Sequence, residues 1–307
     1  MTTDVAIVGA GPAGITAAIY ALRAGLDVTV FEKNIYGGQT SIIENIENYP
    51  GFLKISGPDF SNALYEQAKN FGAKFVFSEV TDVDFSSEEK ILKTSSGKTI
   101  CAKSVIISNG LKRRTLGCIG EKEFFGKGVS YCATCDGPLL KNKVAVIYGN
   151  GDRVLEEGLY LANIVKRLYL LCPNETYQGD EALLEKLKEK DNVTYLPSSK
   201  ILSIQGDFRV TSIRYSSKEE EHVLETNMVF PFAGEKSAVQ FLSTLPVIME
   251  KGFIVVDDKN MSNIPGLFAA GDIVKKRLRQ VVTAASDGAI ASTGILSYLH
   301  SLKRNVK

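Results

Sequence analysis

The sequence predicts an α/β protein that contains two folds of the dinucleotide-binding kind. An apolar strand, a glycine-rich turn and an apolar helix follow one another from residue 4, and the same order returns from residue 143. The length of 307 residues agrees with two domains, because a single hydrophobic core rarely grows beyond about 250–300 residues.

The first copy has a predicted strand at residues 4–8 and a predicted helix at residues 15–24, joined by GAGPAG at residues 9–14. In this GxGxxG pattern the glycines allow a tight turn, close approach of the backbone to a pyrophosphate, and close packing of helix on strand. A second predicted strand, residues 27–31, ends at Glu32. A carboxylate there can accept hydrogen bonds from the hydroxyls of an adenosine ribose and would repel a ribose phosphate. The alternative is a glycine turn that binds nothing.

The second copy is degraded at its third glycine position. Residues 144–148 form a predicted strand, which is followed by Gly149, Gly151 and a predicted helix through about residue 164. Where the pattern has glycine or alanine, this copy has Val154. The branched side chain is expected to crowd the contact between helix and strand and to destabilise it by roughly 1–3 kcal/mol.

A CxxC motif, Cys132-Ala133-Thr134-Cys135, precedes the second copy and is followed directly by Asp136. Two thiols at this spacing can close a small disulfide ring, and a neighbouring carboxylate can give or take the proton that thiol–disulfide exchange requires. Zinc sites use the same spacing. The chain has no second CxxC, however, and its remaining cysteines are isolated in sequence, which favours the redox interpretation: Cys101, Cys118 and Cys172.

Composition excludes some classes of function. Lys and Arg total 36 against 35 Asp and Glu, which argues against a general binder of nucleic acid or of membrane surfaces. The first residues show neither the pattern of a signal peptide nor that of a transmembrane helix. Five cysteines in a chain of this length do not form a disulfide scaffold. We therefore expect a cytoplasmic protein.

Taken together with further motifs, these features resemble the low-molecular-weight thioredoxin reductases. The resemblance runs nearly end to end and includes GGQ at residues 37–39, ENYPG at 47–51, CATCDG at 132–137, PGLFAAGD at 265–272 and RQVVTAA at 279–285. It implies two Rossmann-like three-layer domains of the FAD/NAD(P)-binding type, the second inserted into the first. The FAD-binding domain would comprise residues 1–112 and 247–307, and the redox domain residues 113–246. It also implies FAD as cofactor, thioredoxin as partner and a homodimer.

The resemblance also implies roles for particular residues. Cys135 would face the flavin, Cys132 would attack the substrate disulfide, and Asp136 would donate and accept the protons of the exchange. Asp272 would meet the ribityl chain of the flavin, and Gln280 and Val281 would lie by its ring system at a helix N-terminus. The implied FAD-binding residues are Gly9, Gly11, Pro12, Ala13, Gly14, Glu32, Gly38, Gln39, Asn48, Gly271, Asp272, Arg279, Gln280 and Val281. Taken singly, several have simpler alternatives: Asp272 as a helix N-cap, Gly37 and Gly38 as loop formers, and Asn48 as a turn residue.

Three departures from the family pattern fall in one nucleotide site. NADPH-dependent relatives carry a His-Arg-Arg stretch and a further Arg that grip the 2′-phosphate, where this chain has Cys172-Pro173-Asn174 and Gln178. The family's Gly-x-x-Pro-Asn signature becomes Gly234-Glu235-Lys236-Ser237-Ala238, and Val154 is the third departure. Charged hydrogen bonds contribute about 1.5–3 kcal/mol each, so losing two costs roughly 3–6 kcal/mol. The sequence therefore predicts that NAD(P)H is not used and that the chain resembles the ferredoxin-linked branch.

A basic cluster is the candidate landing site for an acidic electron carrier such as ferredoxin: Lys275, Lys276, Arg277 and Arg279, with Lys112, Arg113 and Arg114 as a second candidate. A solvated basic loop is the alternative. Three other functions stay open at this stage. They are an FAD-dependent dithiol oxidase of the same fold, an NADPH-dependent thioredoxin reductase, and a non-enzymatic flavin redox sensor.

Overall fold

A computed structural model describes residues 2–43, 45–237 and 239–305. Ala238 therefore lies outside the described residues, as do the side chains of Lys112, Arg113 and 235–237. The chain divides into two compact units, Met1–Lys112 with Lys236–Lys307, and Arg113–Glu235. The sequence places the second boundary later, at 246/247. Residues 236–246 go with the first unit because Val239 and Leu242 are buried in its core.

The first unit is built on a seven-stranded sheet in the order β3-β2-β1-β6-β5-β4, with β18 also paired to β6. Its main strands are β1 Thr2–Val8, β2 Val28–Glu32, β3 Lys74–Phe77, β4 Val80–Asp84, β5 Lys90–Thr94, β6 Thr99–Ile107 and β18 Leu267–Ala269. The pairs β1–β2, β2–β3, β1–β6 and β18–β6 are parallel, whereas β4–β5 and β5–β6 are antiparallel. The parallel strands carry continuous apolar runs, as expected for a sheet covered on both faces.

Three helices belong to the first unit: α1 Pro12–Arg23, α2 Gly57–Asn70 and α6 Val281–Asn305. Helices α1 and α6 pack closely, because a Cβ on Gly288 would lie 2.2 Å from the Ala13 carbonyl oxygen. Two small strands, β16 Met249–Glu250 and β17 Phe253–Ile254, form a hairpin within this unit. Within the described ranges, no helix is long and apolar enough to cross a membrane.

The second unit repeats the strand–turn–helix pattern on a smaller scale. Its parallel sheet has the order β10-β9-β8-β14, and a separate antiparallel sheet has the order β11-β12-β13. The strands are β8 Val144–Gly149, β9 Arg167–Leu171, β10 Val193–Leu196, β11 Ser199–Gly206, β12 Val210–Ser217, β13 Glu220–Glu225 and β14 Met228–Phe232. The helices are α3 Ala133–Asp136, α4 Asp152–Ala162 and α5 Glu181–Lys188. The chain passes from one unit to the other twice, at residues 112/113 and 235/236. The strands at these two points, β7 Leu111–Arg113 and β15 Glu235–Ser237, pair with each other.

Candidate functional site

The first glycine loop, residues 9–14, accepts only glycine at two positions. Gly9 has φ of 108°, and a Cβ on Gly14 would lie 1.9 Å from the Gly9 carbonyl oxygen and 2.6 Å from Ser108 Oγ. Ser108 in turn donates hydrogen bonds to the carbonyls of Val8 and Gly9, each at 3.0 Å. The turn from β1 into α1 is therefore as tight as the close approach of a pyrophosphate requires.

The N-terminus of α1 has the features of an anion-binding site. Its N-cap is Gly11, which has no side chain to satisfy the first amides, and Pro12, Ala13 and Gly14 add no acidic group in the first turn. A Cβ on Gly11 would meet nothing within 4 Å. Amides of this kind, together with the helix dipole, favour a bound phosphate.

Glu32 ends strand β2 beside this loop. Its Oε2 accepts a hydrogen bond from Ala10 N and its Oε1 accepts one from Asn34 N, each at 3.0 Å. An ionised carboxylate offers about four acceptor positions, so two remain for ribose hydroxyls. The predicted position of Glu32 at the strand end agrees with the structure.

The segment after β2 turns back onto the glycine loop. Gly37 N donates to the Ala10 carbonyl at 2.7 Å, and a Cβ on Gly38 would lie 3.5 Å from Gly11 Cα. Gln39 donates from Nε2 to the Leu111 carbonyl at 2.6 Å. Gly37 and Gly38 thus do more than shape a loop, because they let a second backbone segment approach the first turn of α1.

Residues 271 and 272 are held against α1 by a contact that the sequence analysis missed. A Cβ on Gly271 would lie 2.9 Å from Ala13 Cβ. Gly271 N donates to Asp287 Oδ2 at 2.9 Å, and Lys276 Nζ donates to the same oxygen at 2.7 Å. The Lys276 and Asp287 side chains are only 14% and 16% exposed. A signal was available, since Asp287 is the one Asp, Glu, Lys or Arg between residues 281 and 299.

Asp272 does not cap α6, because that helix begins at Val281. Arg279 donates to the carbonyls of Asp272 at 3.2 Å and Val274 at 3.3 Å. The Arg279 guanidinium also lies 3.9 Å from the centre of the Phe253 ring. These contacts fix the loop that carries Asp272, and Phe253 is a second residue that sequence reasoning did not find.

Asn48 and Gln280 meet although 232 positions separate them in the chain. Asn48 Nδ2 donates to Gln280 Oε1 at 3.0 Å. The structure therefore gathers the first glycine loop, the segment from 37 to 48 and the segment from 271 to 281 within one unit. A tight glycine turn, an open helix N-terminus and a strand-end carboxylate fit the pyrophosphate and ribose of FAD.

The basic cluster between these segments is not a set of four free cations. Lys275 forms an ion pair with Glu250, Lys276 is largely buried against Asp287, and Arg279 is stacked on Phe253. Of the four, Arg277 is exposed and has no ion pair within the described residues. The hypothesis of a four-residue landing patch is corrected accordingly. In the second candidate cluster, Arg114 is exposed.

The second glycine loop, residues 149–154, is hydrogen-bonded through a side chain to a neighbouring segment of the same unit. Asn150 Oδ1 accepts hydrogen bonds from Gly151 N at 3.0 Å and Gln178 N at 2.7 Å. The Asn150 amide donates to Asn174 Oδ1 at 2.9 Å and to the Thr176 carbonyl at 3.3 Å. The asparagine therefore ties the glycine turn to segment 172–180, which begins where β9 ends.

An acidic residue opens helix α4. Asp152 Oδ1 accepts a hydrogen bond from Asp180 N at 2.9 Å, and a Cβ on Gly179 would lie 3.0 Å from Asp152 N. Segment 172–180 thus lies directly against the start of the helix. Val154 is buried, with its Cγ2 3.0 Å from the place of a Gly149 Cβ.

Cys132 and Cys135 form a disulfide, with their Cα atoms 5.3 Å apart. Cys132 precedes the short helix α3, where its Sγ lies 3.2 Å from Cys135 N and 3.4 Å from Thr134 Oγ1. Cys135 is exposed, whereas Cys132 and Asp136 are half-buried. The predicted disulfide is confirmed, but the roles assigned to the two sulfurs and to Asp136 stay predictions.

The other three cysteines are free thiols in the structure: Cys101, Cys118 and Cys172. Burial raises the pKa of the Cys118 thiol to about 11, and burial also raises the pKa of Cys172. Both are therefore poor nucleophiles near neutral pH. Across the described ranges, no cluster of three or more His, Cys, Asp or Glu side chains has the arrangement of a metal site.

The fold and the site define a disulfide oxidoreductase with dinucleotide-binding domains. A model of the pyridine nucleotide-disulphide oxidoreductases matches residues 3–288. The thioredoxin reductase of Listeria innocua is 38% identical over 303 residues, covering 98% of this chain and 95% of the relative. That of Bacillus subtilis is 37% identical over 307 residues, covering 99% and 97%.

Solved structures give the same result. The thioredoxin reductase of Streptococcus pyogenes has a TM-score of 0.93 at 34% identity, covering 98% of this chain and 99% of the other. That of Giardia duodenalis has a TM-score of 0.93 at 31% identity, covering 97% and 99%. The chain belongs to the low-molecular-weight thioredoxin reductases, which are flavoprotein disulfide oxidoreductases. The predicted fold class and the FAD cofactor are thereby confirmed, whereas the names of these relatives specify no electron donor.

Proposed function

We propose that this chain is an FAD-dependent thioredoxin reductase whose flavin is reduced by a one-electron carrier of the ferredoxin type rather than by NADPH. Electrons leave through the Cys132–Cys135 pair to thioredoxin. The observation that carries the proposal is the second glycine loop, where Asn150 and Asp152 take up the amides of Gly151, Gln178 and Asp180. The contacts of Gln178 and Asp180 hold segment 172–180 against the start of α4, and a dinucleotide pyrophosphate binds at the start of such a helix.

Charge around the same loop supports this proposal. Segment 172–180, CPNETYQGD, contains no Lys or Arg and has two carboxylates, Glu175 and Asp180. Asp152 adds a third at the first turn of α4. NADPH carries a pyrophosphate and a 2′-phosphate, so three anionic groups at this place oppose its binding.

A bound FAD would supply the conversion between one-electron and two-electron transfer. Reduction of the Cys132–Cys135 disulfide then consumes two electrons and two protons and yields two thiols. In the proposed exchange, the Cys132 thiolate attacks the thioredoxin disulfide, and one thioredoxin sulfur leaves as a thiolate that is protonated. Cys135 then attacks the mixed disulfide, which restores the Cys132–Cys135 bond and releases reduced thioredoxin. We assign the proton transfers in these steps to the carboxylate of Asp136, which follows Cys135 directly in the chain.

The direction of transfer is favourable. Plant-type ferredoxins lie near about −400 mV and thioredoxin near about −270 mV, so electrons pass downhill to the product disulfide. Docking of an acidic carrier does not rest on residues 275–279 as a whole, because most of those cations already have partners. Among the described side chains of the two candidate clusters, Arg277 and Arg114 are exposed and have no ion pair.

The NADPH-dependent enzyme is the second candidate. It is favoured by the family description, pyridine nucleotide-disulphide oxidoreductase, whose model extends across the second glycine loop. The glycines at 149 and 151 are also retained, with φ of 146° and 101°. On this alternative, segment 172–180 would have to leave the loop when the nucleotide binds.

The two candidates separate in an anaerobic reduction experiment. The purified flavoprotein is mixed with NADPH from micromolar to millimolar concentration, and in parallel with reduced ferredoxin, while the flavin absorbance is followed. We expect rapid bleaching and subsequent thioredoxin reduction with ferredoxin, and little bleaching with NADPH. Rapid, saturable bleaching by micromolar NADPH would return the chain to the NADPH-dependent class. Bleaching by dithiols that is reversed by oxygen, with no thioredoxin reduction, would instead identify a dithiol oxidase.

Assembly as a homodimer and a cytoplasmic location stay predictions. The first rests on the family resemblance, and the second on cysteine usage and the expected cycling of the CxxC pair. Sedimentation of the purified chain at several concentrations tests the dimer directly.

A further inference from the structure

The Cys132 sulfur of the redox disulfide accepts two hydrogen bonds from its own CxxC turn. Its Sγ lies 3.2 Å from Cys135 N and 3.4 Å from Thr134 Oγ1. Because a disulfide sulfur carries no hydrogen, the amide and the hydroxyl are the donors in these two contacts. Thr134 is therefore a side chain that donates directly to a reacting atom.

The backbone around Cys132 is held in place by Ser130. The Ser130 hydroxyl accepts a hydrogen bond from Cys132 N at 3.1 Å and donates one to the Cys132 carbonyl at 3.3 Å. Ser130 is buried, and its own amide donates to the carbonyl of Val229, in β14, at 3.0 Å. Asp136 N also donates to the Cys132 carbonyl, at 3.2 Å. These contacts fix where Cys132 Sγ lies relative to the Thr134 hydroxyl.

A thiolate on Cys132 needs such donors. Cys132 is half-buried, and burial disfavours the charged form of a thiol. A hydrogen bond to the charged form has the opposite effect. The hydroxyl of Thr134 and the amide of Cys135 already point to this sulfur in the disulfide, so they can stabilise the thiolate without a large rearrangement of the turn.

We propose that the Thr134 hydroxyl donates a hydrogen bond to the Cys132 thiolate and thereby keeps this sulfur ionised for attack on the thioredoxin disulfide. This inference rests on the proposed function, in which Cys132 is the attacking sulfur. In that step Cys132 Sγ forms a bond to one thioredoxin sulfur, the thioredoxin S–S bond breaks, and the second thioredoxin sulfur leaves with the electron pair. Thr134 keeps its proton throughout, so the exchange needs no further reactant.

Other charged or titratable side chains surround the same turn. Asp136 lies in α3 itself, and the segment before the turn adds Tyr131, whose hydroxyl donates to the buried Glu121 at 2.8 Å. Helix α4, which packs against α3, contributes three more: Arg153, Glu157 and Tyr160. A positive charge among them favours a thiolate and the negative charges oppose it. All of them are unchanged by a substitution at residue 134, so variants at that position isolate the hydroxyl.

The test compares Thr134→Val, which replaces the hydroxyl by a methyl group, with Thr211→Val, the same substitution at an exposed position of β12. Each flavoprotein is reduced anaerobically with dithiothreitol, separated from it, and given short pulses of iodoacetamide at graded pH. Peptide mass spectrometry then gives the alkylation rate of Cys132 at each pH.

The loss of the hydroxyl should lower the reactivity of Cys132. We expect Thr134→Val to lower the thiolate fraction of Cys132 about tenfold at pH values below the midpoint of its alkylation profile. Because the remaining thiolate is more nucleophilic, the alkylation rate in this range should fall about threefold. The midpoint itself should move to higher pH. Thr211→Val should change the rate less than about twofold.

A conservative variant and a fold control complete the experiment. Thr134→Ser keeps the hydroxyl and should keep most of the native profile, while unfolding midpoints and flavin content report whether each variant is folded. A folded Thr134→Val with the native profile would overturn the inference. So would a native Cys132 whose alkylation midpoint lies at or above about pH 8.5, the ordinary value for a free thiol. If the native dithiol failed to reduce thioredoxin while Thr134→Val still lowered the Cys132 rate, the proposed function would be wrong instead.

Discussion

The two glycine loops start from the same local pattern and end in different states. In the first, helix α1 begins with uncharged residues behind Gly11, and a Cβ on Gly14 would strike the Gly9 carbonyl at 1.9 Å. In the second, helix α4 begins with Asp152, and Val154 occupies the corresponding position with a full side chain. Both helices have a glycine N-cap without a side-chain hydrogen bond, but the second begins with a carboxylate and has segment 172–180 against its first residue.

The difference shows that a strand–turn–helix unit does not define a nucleotide site by itself. The charges and the chain segments that surround the first amides of the helix also matter. In the first unit, Glu32 and the loop at 271–272 line up beside open amides. In the second, Asn150 connects four backbone or side-chain groups of its own unit. On this comparison we propose that the first loop holds FAD and that the disulfide is the reactive group of the second unit.

The largest expected effect comes from the disulfide. Cys132→Ser and Cys135→Ser should each reduce thioredoxin reductase turnover to background while the flavin stays bound, because the exchange needs both sulfurs. Cys118→Ser and Cys172→Ser are matched controls and should keep most of the activity. Steady-state turnover with a chemical flavin reductant measures this. Full activity in either CxxC variant would show that thioredoxin reduction does not need the Cys132–Cys135 disulfide.

The next effect concerns the first loop. Gly14→Val gives it the residue type that the second loop has, and the backbone contact at 1.9 Å leaves no room for a Cβ. We expect a cost of about 3 kcal/mol, or roughly 100-fold weaker FAD retention. Flavin content after dialysis is the measurement. Gly158→Ala, in α4 with its nearest contact at 3.4 Å, is the helical control and should keep FAD.

A smaller effect is expected at the ion pair that supports residue 271. Lys276→Met removes the partner of a largely buried carboxylate, whereas Lys275→Met removes one side of an exposed pair. Exposed pairs contribute about 0–1 kcal/mol and buried ones cost about 3–5 kcal/mol when broken, so we expect about 2 kcal/mol for Lys276→Met. Urea unfolding of the two variants side by side measures the difference. Equal stabilities would show that Lys276 does not hold this loop.

The smallest effect lies in the second loop. Asn150→Ala removes the tie between the glycine turn and segment 172–180, and it should lower the free energy of unfolding by about 1 kcal/mol. Gln205→Ala, on an exposed strand position of the same unit, should stay within about 0.5 kcal/mol of the native chain. NADPH should still fail to bleach the flavin, because the carboxylates around the loop remain. Efficient NADPH reduction in Asn150→Ala would mean that this one side chain closes an otherwise complete site.

Local pattern was sufficient for the elements and for part of the site. The predicted strand at residues 4–8 is β1 Thr2–Val8, and the predicted helix at 15–24 is α1 Pro12–Arg23. Glycine spacing and apolar periodicity act over a few residues, so the sequence carries them directly. The same holds for the Cys132–Cys135 disulfide, whose partners are three positions apart. Motif resemblance extended this to family and cofactor.

By itself, then, the sequence determined the two glycine turns, the CxxC pair and the family. Only the tertiary structure decided which charges are available, because their partners come from distant parts of the chain. The sequence predicts Lys276 as a docking cation, whereas the structure pairs it with Asp287, 11 positions away. Asn48 donates a hydrogen bond to Gln280, 232 positions away, and the guanidinium of Arg279 lies over the ring of Phe253. Long-range pairing of this kind depends on how the strands and helices pack, and no local period in the sequence records it.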